Sequence, residues 1–528
     1  MSHFADAIFK RTYAFNKSET WEGCAARVAK FVANGNQGLE TQFFEVIKDR
    51  KSIPGGRYLY SAGRPIQQNT NCFLLRAEDS REGWAELLRL HMVALSTGGG
   101  VGTEYSQLRP NGAEIKRFGG TASGPLSLMM MVNEVARHVM AGGKRRSALW
   151  AGLNWMHPDI VSFIEAKNWA LDIRAQKERD FNASAPLDMT NISVGLDDNF
   201  FKLVKTDESV RALFNKIVRS MCKTGEPGFS VNLNGSSDED LRNPCCEVTS
   251  RVSGDTCNLG SIVLPRINNV EELEYVTRVA TEFLYLGTMA GYLPDNVFTK
   301  VREENRRIGL GIMGVHEWLI KNDLKYEPNG KLGRWLSVYQ GASDHEADKL
   351  ASKYGAVRPI AVRAIAPTGT IGILGETSTG IEPVFCTAYK RRFLGMDKAW
   401  KHSYVIDPTV DRLAKEGINP DDIEDTYSLA ENVESRLAMQ AYIQDYVDQG
   451  ISSTVNMPEW GEVGNNNAKK FGELLLRYLP RLRGITVYPD GSRAGQPLTK
   501  VKYDTAKTKK DVIYEESDER CSGGVCGL

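Results

Sequence analysis

Between about residues 51 and 500, short β-rich runs alternate with long amphipathic stretches, and this alternation limits the folds open to the chain more than any other feature. The runs 72–75 (Cys-Phe-Leu-Leu), 192–195 (Ile-Ser-Val-Gly), 361–366 (Ala-Val-Arg-Ala-Ile-Ala) and 485–488 (Ile-Thr-Val-Tyr) are of strand length. Residues 80–95, 125–140, 207–223, 270–292 and 434–449 carry apolar positions at helical spacing. Strands alternating with helices predict an α/β architecture. Before it, Phe4, Ile8, Tyr13, Trp21, Ala25, Val28 and Phe31 follow a helical rhythm, so residues 1–50 read as a short helical N-terminal cap. After it, residues 500–528 are rich in Lys, Thr, Asp and Glu and poor in apolar side chains, the composition of a mobile, disordered tail.

The 528 residues allow two to four domains or one oversized barrel with attachments. The 66 basic side chains balance the 66 acidic ones, so no global field draws the chain to a nucleic acid polymer or an anionic membrane. No apolar run approaches the length of a membrane span, and the first residues lack the basic-then-apolar pattern of a secretion signal. A cytoplasmic location is expected.

In such a compartment, clustered cysteines point to metal binding or redox chemistry rather than structural disulfides. Of the nine cysteines, Cys24, Cys222 and Cys386 lie in apolar or mixed surroundings that suit small buried hydrophobes. Cys245 and Cys246 are adjacent and Cys257 stands alone, which does not match the paired spacing of a structural zinc site; no metal ligands are nominated. The seven histidines are scattered and read as structural.

Asn243-Pro-Cys-Cys-Glu247 is the most informative segment. If extended, it places Asn243, Cys245 and Glu247 on one side and Pro244 and Cys246 on the other. Amide, thiol and carboxylate together can hold a polar substrate, supply a sulfur reactant and move a proton; the competing reading is a proline turn with a core thiol. A hairpin-like return could bring Cys257 close to Cys245. Pro367-Thr-Gly-Thr-Ile371, between a strand-like run and a helix start, offers backbone N–H groups to a phosphate, or is an ordinary strand-to-helix turn. No Walker loop occurs. Gly309-Leu-Gly-Ile-Met-Gly314 matches a dinucleotide fingerprint but lacks its βαβ setting, and is read as a decoy. The tail pair Cys521 and Cys526 has a coil reach of roughly 28 Å and a stretched reach of about 80 Å, suited to thiol–disulfide exchange with both a buried site and an outside partner.

Together these segments resemble the catalytic subunit of a ribonucleotide reductase. The resemblance rests on Asn71-Cys72-Phe, Gly98-Gly-Gly-Val-Gly-Thr with Ser106-Gln-Leu-Arg-Pro110, Gly142-Gly-Lys-Arg-Arg146 with His157-Pro-Asp-Ile160, and Asn191-Ile-Ser-Val. It continues through Asn243-Pro-Cys-x-Glu247, Cys257-Asn-Leu-Gly-Ser, Arg306–Gly314, Pro367–Ile371 with Gly380-Ile-Glu-Pro-Val-Phe385, Tyr488–Arg493 and the terminal cysteines, in family order over nearly the whole chain.

The resemblance implies a ten-stranded α/β barrel of two five-stranded parallel halves over residues 51–499, with Cys245 on a central finger loop. It implies that Cys245 becomes the thiyl radical that abstracts the substrate 3′-hydrogen, Glu247 takes the 3′-OH proton and Asn243 holds the ribose hydroxyls. Cys72 and Cys257 would protonate the departing 2′-OH and form a disulfide. Asn71, Gly100 and Pro367, Thr368, Gly369, Thr370 and Ile371 would bind substrate, the last five with Gly100 at its phosphates. Cys521 and Cys526 would re-reduce the disulfide and be recycled by a thioredoxin- or glutaredoxin-like protein.

Members with a separate radical subunit carry adjacent tyrosines where this chain reads Leu482-Arg-Gly-Ile-Thr486, so the chain looks like the adenosylcobalamin-dependent branch, without an Asp-x-His-x-x-Gly signature. The cap is too short for the ATP-sensing domain of some relatives. Lys144, Arg145 and Arg146 resemble the effector-specificity loop, or form a basic surface loop. Diphosphate substrates and a homodimer are expected. The alternatives are a triphosphate reductase, a member with a separate radical subunit, a regulatory nucleotide-binding barrel and a general dithiol oxidoreductase. Cys246 is unusual for the family, where a small residue is common.

Overall fold

The structure, a computed structural model, describes residues 1–116, 119–141, 146–180, 182–233, 238–394, 400–461, 467–492, 498–509 and 513–515. It opens with three helices, α1 (His3–Thr12), α2 (Trp21–Ala33) and α3 (Gln37–Lys48), each started by a side chain that accepts from the first turn: Ser2 from Ala5 N, Thr20 from Gly23 N and Asn36 from Leu39 N. Their apolar faces do not form a core of their own. Phe9, Val28 and Phe43 join Ile262, Phe283 and Leu284 in one continuous cluster, so the cap is welded to the body of the protein.

The strands, in chain order, are β1 (Ser52–Pro54), β2 (Cys72–Arg76), β3 (Gly100–Glu104), β4 (Leu149–Asn154), β5 (Thr190–Asp197) and β6 (Gly228–Asn232). Then follow β7 (Leu241–Arg242), β8 (Thr249–Ser250), β9 (Asp255–Val263), β10 (Ile308–Met313), β11 (Ala388–Leu394), β12 (Trp400–Ile406), β13 (Thr454–Met457), β14 (Gly484–Pro489), β15 (Leu498–Lys500) and β16 (Ile513–Glu515). β2 to β6 form a parallel run, joined by crossovers that include the helices Arg81–Ser96, Gly124–His138 and Glu208–Thr224. β14 meets β6 antiparallel and pairs parallel with β13, while β9 meets β2 antiparallel and pairs parallel with β10. The fold is therefore mixed α/β around one large sheet.

The expected strand at 361–366 carries only isolated parallel bridges, Leu310 to Arg363 and Ile365 to Ile451. It is nonetheless bonded on both edges: Leu310 N donates to Val362 O at 2.9 Å and Ser452 N to Ile365 O at 2.8 Å.

Side-chain alternation sorts the sheet into two faces. On β2, Phe73 and Leu75 join one outer core, whereas Cys72 and Leu74 join a small inner cluster with Leu241, Val248, Cys257 and Leu259. On β10, Ile308, Leu310 and Ile312 face the other outer core, which leaves Gly309 and Gly311 on the inner face. The glycines of the decoy fingerprint thus serve packing: a Cβ on Gly309 would lie 3.1 Å from Cys257 Sγ, and one on Gly311 would lie 2.7 Å from Ala364 O.

The tail differs from expectation. Residues 500–509 and 513–515 are structured: β15 pairs with β11, β16 with β12, and Ala506 of the helix Tyr503–Lys509 is buried against Ala388 and Ile406. The β11–β12 hairpin supplies two open edges, and strand pairing there compensates for the scarcity of apolar side chains. Cys521 and Cys526 lie outside the described residues. Among the described residues, no helix is long and apolar enough to cross a membrane.

Candidate active site

Residues 243–248 are the tip of a hairpin whose legs are β7 and β8, with Leu241 opposite Ser250 and Arg242 opposite Thr249. The tip is a turn, not the extended run anticipated from alternation. Pro244 supplies the second turn position, Cys246 N donates to Asn243 O at 3.0 Å, and Cys246 sits in the left-handed region at φ 65°. That conformation costs an L-residue about 1–2 kcal/mol, so surrounding structure must enforce it. Asn191 Nδ2 holds Pro244 O at 2.9 Å, and Gly450 N holds Glu247 O at 2.8 Å. The buried Arg242 donates to Asn232 Oδ1 at 2.6 Å and to the carbonyls of Val231 and Arg483.

The hairpin lies against backbone, and glycine makes that possible. A Cβ on Gly102 of β3 would stand 1.6 Å from Arg242 O, and one on Gly450 would stand 2.4 Å from Cys246 O. The alternating Gly100-Val-Gly102 thus gives the hairpin a trough while Val101 points to the outer core.

A cleft of about 1480 Å³ opens beside the tip. Asn71, Cys72, Gly100, Asn243, Cys245 and Glu247 line one part of it, and Pro367, Thr368, Gly369, Thr370 and Ile371 line another. Pro244 also lines it, which simple alternation did not anticipate, whereas Cys246 is buried away from it. Cys257 lies directly opposite Cys72 in the β2–β9 pair, a placement whose Cα separation suits a cross-strand disulfide. It pairs with Cys72 rather than closing back on Cys245.

Asn243 links the parts. Its Nδ2 donates to Cys72 Sγ at 3.1 Å, and its Oδ1 accepts from Val248 N at 3.0 Å. Burial raises the Glu247 carboxyl to about 7, against a partial lowering by Asn243, and its buried Oε2 has no hydrogen-bond partner among the described residues. Burial also holds the Cys72, Cys245 and Cys257 thiols well above their ordinary value, and the nearby Glu247 carboxyl adds to this. The three sulfurs therefore rest as thiols, with Cys245 the one exposed to the cleft.

Thr368 sits at φ 52° ahead of the short helix Gly369–Gly375, and its Oγ1 accepts from Gly380 N at 2.7 Å, tying the 367–371 loop to 377–380. Ser378 and Thr379, in the hydroxylated run Thr377-Ser-Thr-Gly380 that follows the 367–371 loop in the sequence, also line the cleft, as do Ser452 and Asn456, which sequence reasoning did not single out. Ser452 lies in a loop, where a polar side chain carries no periodic signal, and Asn456 lies in β13, a four-residue strand too short to show one. α1 walls the mouth through Phe4 and Ile8, and Ser2 N donates to Glu376 Oε1. Lys144 and Arg145 lie outside the described residues, while Arg146 is exposed and donates to Met189 Sδ at 2.9 Å. Cys24, Cys222 and Cys386 are buried elsewhere. Among the described residues, no cluster of His, Cys, Asp and Glu could hold a metal ion.

Residues 70–211, 208–332 and 342–479 match the family described as ribonucleotide reductase, barrel domain. The chain belongs to this family. Among curated relatives of this ribonucleotide reductase family, the vitamin B12-dependent ribonucleoside-diphosphate reductase of Mycobacterium tuberculosis (strain CDC 1551 / Oshkosh) is 28% identical, with 95% of this chain and 78% of the relative covered. A protein of the same description from Thermoplasma acidophilum is 29% identical over 90% of this chain and 68% of its own length. The ribonucleoside-diphosphate reductase large chain of Cryptosporidium parvum is 27% identical over 72% of this chain and 54% of its own length.

Proposed function

We propose that this protein reduces ribonucleoside diphosphates to 2′-deoxyribonucleoside diphosphates, with adenosylcobalamin as its radical source. The observation that carries the reading is the convergence on one cleft of a thiol at a hairpin tip, a carboxyl poised near neutrality and Cys72, whose cross-strand partner Cys257 lies behind it. The similarity to vitamin B12-dependent reductases supports the substrate and the cofactor.

In this reading, Cys245 Sγ takes the 3′-hydrogen atom of the ribose. Glu247 Oε2, buried and without a partner, accepts the 3′-OH proton, and Asn243 orients the hydroxyls. Cys72 protonates the leaving 2′-OH, and the pair gives two electrons as the Cys72–Cys257 disulfide forms. Asn71, Gly100 and residues 367–371 hold the substrate, with backbone N–H groups of the loop turned to its phosphates. Bound in the cleft, adenosylcobalamin supplies the radical equivalent that Cys245 needs. The cleft's volume exceeds the usual 300–1,000 Å³ of a small-ligand pocket and Cys245 is open to the space, which supports a site for a second ligand beside the nucleotide. No described residue lining the cleft is a histidine, in keeping with the missing Asp-x-His-x-x-Gly signature.

We further read the large sheet as a ring. β2–β6 form one five-stranded half; β14, β13, the 361–366 segment, β10 and β9 form the other, joined through the two parallel bridges, with the hairpin inside. The tail thiols Cys521 and Cys526 regenerate the dithiol and take electrons from a thioredoxin- or glutaredoxin-like protein. The exposed Met92, Met130 and Met131 on the packed helices Arg81–Ser96 and Gly124–His138 support a homodimer.

The test is reduction of CDP and CTP with a dithiol, with and without adenosylcobalamin. Cofactor-dependent dCDP formation is the expected result, and no deoxynucleotide from either substrate refutes the assignment. Preference for CTP selects the triphosphate alternative.

A further inference from the structure

We infer that the Cys72–Cys257 disulfide is reopened in one direction: the reducing thiolate attacks Cys72 Sγ from the cleft, and Cys257 Sγ leaves as a thiolate beside the buried Arg307–Asp255 ion pair. This rests on the dithiol role proposed above for the two cysteines.

Thiol–disulfide exchange proceeds through a mixed disulfide, and the entering sulfur must approach along the line of the breaking S–S bond. For Cys72 the open side is the cleft, which it lines. Cys257 is not among the residues lining the cleft, and its far side is filled by protein. Its Sγ packs over Gly309, where even a Cβ would come within 3.1 Å, and contacts Asn258 O at 3.4 Å. A thiolate directed at Cys257 would have to enter through β10.

The leaving side is prepared electrostatically. Ile308 is level with Asn258 in the β9–β10 pair, so Arg307, one residue earlier, stands level with Cys257. Its Nε bonds Asp255 Oδ2 at 2.8 Å, with both side chains at 1% exposure or less, and its Nη1 bonds Gln449 Oε1 at 3.2 Å. Asp255 is also held by Ser250 and Asn305, so its charge is shared and the guanidinium retains influence on its neighbours. Burial raises both thiols. At Cys257, Arg307 opposes that rise more strongly than Asp255, Glu247 or Asp448 adds to it. At Cys72, Glu247 adds to it, and only the Asn243 hydrogen bond opposes. A cation beside the departing sulfur stabilises it as a thiolate, and Cys257 is the one of the two that stands level with a guanidinium.

The steps balance. A dithiol loses one proton, and its sulfur bonds to Cys72 Sγ as the Cys72–Cys257 bond breaks, leaving the electron pair on Cys257. The second thiol, deprotonated in turn, attacks the entering sulfur and releases Cys72. Both cysteines recover the protons given up, the dithiol becomes a disulfide, and two electrons have passed inward.

The test uses the full-length chain carrying Cys521→Ser and Cys526→Ser, oxidised with diamide, treated with glutathione, quenched in acid, alkylated with N-ethylmaleimide and mapped by peptide mass spectrometry. Glutathione on Cys72 with maleimide on Cys257 is expected to exceed the reverse pattern by about tenfold. Equal labelling, or glutathione chiefly on Cys257, overturns the inference while leaving the dithiol reading intact. Failure of the Cys72–Cys257 disulfide to form overturns both. Arg307 acts here as a positioning residue. Arg307→Met should move the labelling ratio towards parity and Arg307→Lys should restore it, whereas an unchanged ratio in Arg307→Met rejects the role of Arg307. Should Arg307→Met not fold, the ratio in the two-serine chain decides alone.

Discussion

Replacing Gly102 by Ala tests whether the hairpin's position, and not only its chemistry, sets the rate. The added Cβ would start 1.6 Å from Arg242 O and 3.1 Å from Asn243 Cα, with backbone on both counts and no side-chain end to swing aside. To reach even 3.0 Å, the hairpin or β3 must retreat by about 1.4 Å in an interior packed as densely as an organic crystal. β3 cannot easily yield, because it is bonded on both edges, to β2 and β4. The hairpin therefore moves and carries Cys245 and Glu247 with it. Overpacking of this kind costs about 1–3 kcal/mol, which leaves a folded protein. A displacement of 1 Å at a reacting group costs about 10²-fold in rate. The expected result is a cooperative thermal melt at reduced temperature, with kcat for CDP reduction down about a hundredfold. Gly341→Ala, in the exposed interior of the helix Gly330–Tyr354 with nothing within 4 Å, is the control; it should leave kcat unchanged and add about 0.5–1 kcal/mol of stability. A Gly102→Ala enzyme that turns over at the wild-type rate would refute the reasoning.

Cys245→Ser should melt like the parent and form no deoxynucleotide, whereas the double variant Cys521→Ser/Cys526→Ser should stop after about one product per enzyme when thioredoxin is the reductant; product counted per enzyme distinguishes the two. Glu247→Gln should abolish turnover and also change the pH dependence of stability. The carboxyl rises from 4.5 unfolded to about 7 folded through burial, so its contribution is fully present below pH 4.5 and is lost as pH rises through about 7. Denaturant unfolding at pH 5 and pH 8 should show Glu247→Gln gaining on the parent by up to about 2.5 kcal/mol at the higher pH; a constant difference contradicts the buried-acid reading. Arg436→Met removes the cation from Glu382, which keeps Thr454 N, and a donor from Tyr326 Oη, which keeps Ile381 O, and should cost about 1.5–3 kcal/mol in chemical denaturation.

The layered character of the fold was legible because period-two alternation in β2 and β10 records two faces with different neighbours. Where the pattern reads apolar–glycine instead of apolar–polar, as in Gly100-Val-Gly102 and Gly309-Leu-Gly311, it marks strands whose inner face is closely approached, by backbone at Gly102 and Gly311 and by side chains at Gly100 and Gly309. At Gly309–Gly314 the bare pattern matches a dinucleotide fingerprint without its βαβ setting, and only the family resemblance places Gly100 at the substrate phosphates. The spatial grouping of Asn243, Cys245 and Glu247 was anticipated on an incorrect premise. Alternation applies only to a chain held in a ladder, and here Pro244 and the left-handed Cys246 turn the chain while keeping all three side chains at the cleft. The partnership of Cys72 with Cys257 spans most of two hundred residues and had no local signal; only the family resemblance suggested it. The ordered stretch 500–509 was illegible for the opposite reason, since its stability comes from strand edges supplied by β11 and β12.

On the proposed reading, the arrangement also explains why the reacting sulfur is carried on a hairpin that lies against the sheet rather than on a loop at its rim. A loop at the rim is solvated and mobile, whereas this chemistry needs a side chain fixed to a fraction of an ångström with water kept away. Placing backbone in an interior is costly unless its polar groups are bonded. Here the bonds come from fixed donors and acceptors on neighbouring elements: Asn191 to Pro244 O, Gly450 to Glu247 O, and Arg242 to the carbonyls of Val231 and Arg483. The groups that satisfy the hairpin also hold its position. Among the described residues, the one buried side-chain oxygen of the tip left without a partner is Glu247 Oε2, the atom that the proposed reaction supplies with a substrate hydroxyl.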